Sequence, residues 1–214
     1  MEIKGNFNFK PRDEITNQGW YSRGYLPHFD GGETTQFITA RLFDSMPQEL
    51  LIKWREQLKK ESEVNNSFDV DSAFRQRVEI YLDQGFGSCF LKEEKVAEIV
   101  QNALLFHDEK KYKLQSWVIM PNHIHFLLTP NQGIKLEKIV HSIKSFTANE
   151  ANKLLNRKGT FWQAEPFDRY IRNIKHFTNV VKYIEENPVK AKLCAKPKDW
   201  KFSSAHYHLK INEE

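Results

Sequence analysis

Two histidines separated by one residue have a spacing that permits metal chemistry. His123 and His125 lie in a short apolar run that also contains Ile124 and Phe126. On a β-strand, residues i and i+2 point to the same face, so both imidazoles can reach one ion while the other two residues face a core. Imidazole is a common metal ligand, although most histidines bind nothing. The pair therefore permits a metal site, and equally permits two partly exposed histidines with no ligand role.

A tyrosine and an asparagine form a second pair with a chemically useful spacing. Tyr183 and Asn187 are four residues apart, so on a helix their side chains share one face. The helical period places Tyr183 at the edge of an apolar stripe that holds Ile174, Phe177, Val181 and Ile184. A phenol there can be held by packing while its oxygen reaches a cleft, but most tyrosines at such edges only pack. The position alone does not choose among seven tyrosines.

The composition is that of a globular chain with a mildly basic balance. Of 214 residues, 40% are hydrophobic and 28% are charged, and the formal net charge is +4. A basic balance suits a nucleic acid partner and is also compatible with ordinary solubility. No apolar run approaches the ~20 residues that cross a bilayer, and the first residues lack a secretory signal. Cys89 and Cys194 are too few for a disulfide framework. We therefore predict a cytoplasmic protein that does not have a membrane as its partner.

Periodicity predicts the elements that position these side chains. The strand signals at 34–44, 113–120 and 123–130 alternate with helical patterns, and the second and third strands form a hairpin around the turn residues Pro121 and Asn122. The helix that carries Tyr183 is predicted to be capped by Asn173 and closed by Pro188. The predicted order is β-α-α-α-β-β-α-β-α. It indicates an α+β domain, with helices packed on a small, mostly antiparallel sheet.

Four segments in this order and spacing resemble the IS200-like transposases of the HUH, single-tyrosine type. They are WVIMPNHIHFLLTP, GTFWQAEPFDRYIRN, YIEENPVKAKL and WKFSSA, and the subgroup that they resemble most is the REP-associated tyrosine transposases. GYLPHF and FITARLFD extend the resemblance over about residues 24–205. The resemblance implies a ferredoxin-like sheet that carries the histidines and faces a helix with the nucleophile. We predict an extended lead-in at 1–30, the transposase domain at 31–205 and a tail at 206–214.

The resemblance also implies roles for individual residues. His123 and His125 match the metal histidines, Tyr183 matches the nucleophile, and Asn187 matches the third metal ligand. Some relatives carry glutamine at that last position, and asparagine is one methylene shorter. The implied cofactor is a divalent ion, Mg²⁺ or Mn²⁺, which would stabilise charge on the scissile phosphate. The implied reaction cuts single-stranded DNA, and it leaves a 5′-phosphotyrosine and a free 3′-hydroxyl.

Other residues are candidates for DNA contacts. Lys144, Arg169 and Arg172 are suitable phosphate contacts or, equally, solvated charges with acidic neighbours. Trp162 and Gln163 have the chemistry to stack on and read an unpaired base, although core packing is the favoured interpretation of the tryptophan.

Three functions remain open at this level. The first is a transposase that cuts single-stranded or hairpin DNA at palindromic repeats, either as a monomer or as a homodimer in a cytoplasmic, nucleoid-associated setting. The second is a domesticated protein that binds hairpin DNA or RNA without cutting it. The third is a metal-dependent enzyme that uses the histidine pair on a substrate other than nucleic acid.

Overall fold

A computed structural model describes residues 20–22, 27–29, 32–65 and 68–213, with backbone alone at 20–22, 27–29 and 209–213. Most of the predicted lead-in at 1–30 lies outside these residues. Its described part forms β1 (Trp20–Ser22) and β2 (Pro27–Phe29), which pair antiparallel.

The central sheet has four strands, all paired antiparallel. They are β3 (Gln36–Arg41), β4 (Tyr112–Ile119), β5 (His123–Pro130) and β6 (Phe167–Tyr170), in the spatial order β4-β5-β3-β6. β4 and β5 form the predicted hairpin. At its turn, the Met120 amide donates to the His123 carbonyl at 2.9 Å. The predicted α+β fold with an antiparallel sheet is confirmed.

The described residues include six α-helices. They are α1 (Gln48–Val64), α2 (Val70–Leu82), α3 (Glu94–Phe106), α4 (Leu136–Leu154), α5 (Ile174–Lys190) and α6 (Ser204–Glu213). From β3 to α5 the order of strands and α-helices is the predicted one. The predicted tail at 206–214 falls largely within α6, which lies beside β4.

The sheet is covered on both faces. On one face, Ile38, Ile124 and Phe126 pack with apolar residues of α3 and α4. On the other face, Phe37 and Leu127 pack with α5. α1 and α2 form a helical hairpin with a separate apolar cluster, and Phe167 of β6 packs against that cluster.

The structure corrects three details of the predicted helices. α5 does not end before Pro188 but continues through it to Lys190. A proline so close to a C-terminus removes only one intrahelical hydrogen bond, and its fixed φ suits a helix. Ile174, expected in the apolar stripe of α5, is 49% exposed at the first turn. The helical period of the sequence also predicts Phe146 beside Ile143 on the apolar face of α4, but Phe146 is 54% exposed, whereas Ile143 and Thr147 are buried.

Candidate active site

The histidine pair lies on β5, between its neighbours β4 and β3. In the antiparallel register, His125 is opposite Thr39 and His123 is opposite Arg41. Both histidines are buried, and their ring centroids are 4.6 Å apart. Ile124 belongs to the cluster on the opposite face. The predicted alternation along this strand is therefore confirmed.

Each imidazole is oriented by a hydrogen bond at its Nδ1 atom. The Nδ1 of His125 is 2.8 Å from Oγ1 of Thr39. The Nδ1 of His123 donates to Oδ1 of Asn122 at 2.7 Å, while Nδ2 of Asn122 donates to the Phe86 carbonyl at 3.0 Å. Asn122 was predicted as a turn residue only. Because Nδ1 of His123 carries the proton in this hydrogen bond, the lone pair of its Nε2 remains available for a ligand bond.

α5 brings the tyrosine and the asparagine to the same place. The hydroxyl of Tyr183 lies 3.5 Å from Nε2 of His125, and Nδ2 of Asn187 donates to that hydroxyl at 3.2 Å. The Tyr183 ring packs edge-on against Phe37, at a centroid distance of 6.0 Å. The four residues that the sequence singled out are thus neighbours across the interface between β5 and α5.

Burial decides the protonation of these groups. Burial lowers the pKa of His123 to about 3. Burial, followed by the charge of the neighbouring His123, holds the pKa of His125 well below its usual range. Both imidazoles are therefore neutral near pH 7, which is the form that binds a metal. Burial also raises the pKa of Tyr183, and the carboxylates of Glu79 and Asp83 raise it further. The phenol is accordingly protonated.

Two carboxylates of the α2 region were missed by the sequence interpretation. Burial raises the pKa of Glu79, and the opposite charge of Arg169 acts to lower it. The Glu79 carboxylate is close enough to Tyr183 to raise the pKa of the phenol. Asp83, which ends α2, has its pKa raised to about 6 by burial, against the opposing charge of Lys190. No local pattern in the sequence distinguishes them, because their role comes from the way the α1–α2 hairpin packs on the sheet.

Two buried polar atoms at this site have no hydrogen-bond partner within the described part of the chain. They are Nε2 of His123 and Oδ1 of Asn187. An orphaned buried acceptor costs free energy, so it calls for a partner. No group of three or more His, Cys, Asp and Glu residues suited to a metal occurs in the described ranges. A donor set of two neutral imidazoles and one amide oxygen nevertheless fits a divalent ion that completes its shell with phosphate or water oxygens.

The predicted DNA-contacting lysine is used within the protein. Nζ of Lys144 donates to the carbonyls of Gln163 and Ala164, at 2.6 and 2.7 Å. Burial, followed by the charge of Arg41, lowers the pKa of Lys144 to about 8. The side chain lies in a cavity of about 420 Å³ between α4 and residues 159–168. Its structural role is to hold the 163–164 segment.

The two residues predicted to read a base are also engaged internally. Trp162 is 4% exposed, and its indole nitrogen donates to Oγ1 of Thr147 at 2.9 Å. Such a ring leaves almost no surface for stacking on a base, in line with the core interpretation. The side-chain amide of Gln163 donates to the carbonyl of Phe43, and its backbone amide donates to the Arg41 carbonyl at 2.9 Å.

The two arginines of FDRYIR occupy different environments. Arg169 is half-buried, with its guanidinium 5.6 Å from the Phe37 ring centroid and electrostatically coupled to Glu79. Arg169 therefore packs against Phe37, which in turn packs edge-on against the Tyr183 ring. Arg172 is exposed and lies 5.9 Å from the ring centroid of Tyr170, where it is open to solvent and to a phosphate.

Comparisons with known proteins find sequence similarity to one group of transposases. The family model described as "Transposase IS200 like" matches residues 90–187. A REP-associated tyrosine transposase of Escherichia coli (strain K12) is 31% identical over 100 residues, which are 46% of this chain and 57% of that protein. A Haemophilus influenzae protein, provisionally given the same name, is 31% identical over 102 residues, 43% of this chain and 58% of that protein. The chain thus spans just over half the length of these relatives.

A solved structure supports the fold. A REP-associated tyrosine transposase bound to a REP hairpin superposes with a TM-score of 0.51 at 20% identity, covering 87% of this chain and 82% of the other.

In the described ranges, no helix is both long and apolar enough to cross a membrane. The matched region holds β4, β5, α4, β6 and most of α5, and therefore all four site residues. Residues 90–187 of this chain are therefore similar to the IS200-like transposase family.

Proposed function

We propose that this protein is a metal-dependent endonuclease and strand transferase that cuts single-stranded DNA at palindromic hairpins. Tyr183 is the nucleophile, and the intermediate is a 5′-phosphotyrosine. The observation that carries this proposal is the position of the Tyr183 hydroxyl, 3.5 Å from Nε2 of His125 and 3.2 Å from Nδ2 of Asn187. Support for hairpin DNA as the partner comes from the structural relative bound to a REP hairpin and from the net charge of +4.

The residues that would hold the metal are His123, His125 and Asn187. The unpartnered Nε2 of His123 and Oδ1 of Asn187, together with the neutral state of both imidazoles, fit Mg²⁺ or Mn²⁺, and the two nitrogens favour Mn²⁺. When bound, such a cation stabilises negative charge on the phosphoryl oxygens and orients the phosphate for in-line displacement.

The protein's own residues perform the displacement. Asn187 donates a hydrogen bond to the phenol oxygen and fixes its direction. The Tyr183 oxygen forms a bond to phosphorus while the bond from phosphorus to the 3′ oxygen breaks, and that oxygen leaves as a hydroxyl after taking a proton from solvent. Glu79, whose carboxylate acts on the pKa of the phenol, receives the phenol's proton. The phosphotyrosine retains the energy of the phosphodiester, so a 3′-hydroxyl can rejoin the strand by the reverse displacement.

One chain supplies the whole constellation. Tyr183 reaches the histidine pair of its own chain, so cutting at this site requires no residue from a second copy. A homodimer remains a prediction about assembly and is not needed for this chemistry.

The test is formation of a covalent adduct. Wild-type protein is incubated with Mn²⁺ or Mg²⁺ and with hairpin oligonucleotides labelled at either end, then denatured. We expect a denaturant-resistant adduct that carries the 3′-labelled fragment, and a free 5′-labelled fragment that ends in a hydroxyl. Tyr183→Phe should abolish the adduct. Tyr170→Phe, which removes the hydroxyl of a buried tyrosine on β6, is the matched control and should retain it. An adduct from Tyr183→Phe, or none from the wild type, refutes the proposal.

One observation favours a second function, binding of hairpin DNA or RNA without cutting. His123, His125 and Asn187 are 0–1% exposed, so a phosphate can reach them only after a rearrangement. A non-cutting protein would bind the hairpin equally well with and without chelator, and Tyr183→Phe would leave that affinity unchanged. A chelator-sensitive cleavage product would exclude this function.

A further inference from the structure

We propose that Phe86, supported by Tyr81, is a stacking platform for an unpaired base of the DNA strand that enters the candidate active site. The inference rests on the proposed function and adds the place where the strand lies beside the cut. Phe86 precedes the region that the family model matches, so the platform belongs to the part of this chain before residue 90.

The position of Phe86 is at the rim of the site. Residues 83–89 connect the end of α2 to the segment that leads into α3. The Phe86 carbonyl accepts a hydrogen bond from Asn122 at 3.0 Å, and Asn122 in turn orients His123. The loop therefore passes beside the histidine pair and carries Phe86 there.

The loop is held in one shape by its neighbours. Gly87 has a φ of +89°, and a Cβ atom there would lie 2.7 Å from the carbonyl oxygen of Asp44. The Ser88 amide donates to the Asp44 carboxylate at 2.9 Å, and Sγ of Cys89 donates to the Gly85 carbonyl at 3.0 Å. Phe86 is therefore held at the surface by a segment whose conformation these contacts fix.

The side chains of Phe86, Tyr81 and Trp54 contact one another in that order. The rings of Phe86 and Tyr81 have centroids 4.7 Å apart and planes inclined by 35°. Tyr81 in turn contacts Trp54 of α1 edge-on at 5.8 Å. Phe86 is still 45% exposed. A ring that packs on Tyr81 and keeps nearly half its surface in water has free area for one more planar partner.

A nucleobase is a flat aromatic group that can stack on the exposed side of the Phe86 ring. Base stacking on aromatic side chains is tolerant of sequence, because every base offers a π-face. It also requires an unpaired base, since the bases of a duplex are already stacked on each other. A positive charge lies close to the site, because Nζ of Lys190 is 5.0 Å from the ring centroid of Tyr183, although it is also 3.7 Å from a Glu186 carboxylate oxygen. The platform would thus select single-stranded DNA at the point of cutting.

The experiment measures binding without cutting. A Tyr183→Phe protein in chelator is titrated with a hairpin whose unpaired flank carries 2-aminopurine, and fluorescence quenching reports both stacking and affinity. We expect Phe86→Ala to weaken binding about tenfold and to lose most of the quenching. Phe86→Trp should restore both. Phe106→Ala is the matched control, because it truncates an exposed phenylalanine at the end of α3 that adjoins the start of β4, away from the histidine pair. It should change neither.

An abasic nucleotide at the stacked position separates stacking from general damage. It should weaken binding to the Phe86-containing protein about tenfold, and it should cost the Phe86→Ala protein almost nothing further. Equal losses in both proteins would overturn the platform, as would unchanged affinity and quenching in Phe86→Ala. A change of oligomeric state in Phe86→Ala with DNA affinity intact would assign the surface to a second copy of the chain and would also overturn it. Because no cleavage is measured, these outcomes are independent of whether wild-type protein forms an adduct.

Discussion

The two faces of β5 are equally buried, yet they differ in whether buried polar atoms are left without a hydrogen-bond partner. Towards α3 and α4 the strand presents Ile124 and Phe126, which are surrounded by apolar side chains. Towards α5 it presents His123 and His125, which are no more exposed. On that second face, Nε2 of His123 and Oδ1 of Asn187 lack a hydrogen-bond partner among the described residues. Burial alone therefore does not separate core from site on this strand, whereas unsatisfied polar atoms do.

The largest effect on stability is expected on the apolar face. Phe126→Ala should lower the free energy of unfolding by about 3–5 kcal/mol, because it removes buried contacts and leaves a cavity. Urea unfolding monitored by circular dichroism measures this loss. His125→Gln, which removes a side chain of the other face while keeping much of its volume, should cost clearly less and should abolish adduct formation. Equal losses from both substitutions would break the distinction between the faces.

Acid should destabilise the protein through the histidine face. The folded pKa of His123 is about 3 and its ordinary value is 6.5, so between these values the unfolded chain binds a proton that the folded chain excludes. Stability is therefore complete above about pH 6.5 and falls as the pH decreases. At pH 5 the loss from His123 is about 2 kcal/mol, and His125, whose pKa is also lowered, adds a loss in the same direction. Thermal unfolding in chelator at pH 7 and pH 5 measures it. A His123→Gln, His125→Gln protein should lose most of this dependence, and an unchanged dependence would contradict the assignment.

The smallest effect is expected from an orienting residue. Thr39→Val keeps the shape of the side chain and removes the hydroxyl that contacts Nδ1 of His125. We expect Mn²⁺ affinity to fall about 10-fold to 100-fold, as for the loss of other groups that orient a ligand. Calorimetric titration with Mn²⁺ measures the change. Thr35→Val is the control, since its hydroxyl contacts Thr129 and not the histidines. If both variants bind Mn²⁺ as tightly as the wild type, Thr39 does not orient a metal ligand.

The sequence predicted the features that depend on local periodicity. Alternation along β5 placed His123 and His125 together and turned Ile124 and Phe126 away, and the structure confirms both. The spacing of Tyr183 and Asn187 placed them on one helix face, and their hydrogen bond agrees. The resemblance to IS200-like transposases linked these two local patterns, because neither pattern indicates by itself that α5 packs against β5.

The features that depend on packing between distant segments could not be predicted. Glu79 and Asp83 reach Tyr183 because α2 lies over this edge of the sheet, a placement that no periodicity encodes. Lys144 and Trp162 have the chemistry of DNA contacts, but the fold uses the first for backbone carbonyls and buries the second against Thr147. Pro188 was expected to end its helix, yet local preference gave way near the C-terminus of α5.

The close approach of Gly87 to Asp44 has a consequence for anyone who wishes to re-engineer the protein. Any larger residue at position 87 would have to displace a backbone oxygen that lies only 2.7 Å from the new Cβ atom. That displacement would be felt through the Phe86 carbonyl by Asn122 and so by His123. Variants that test the Phe86 platform should therefore change only the Phe86 side chain and keep the glycine beside it.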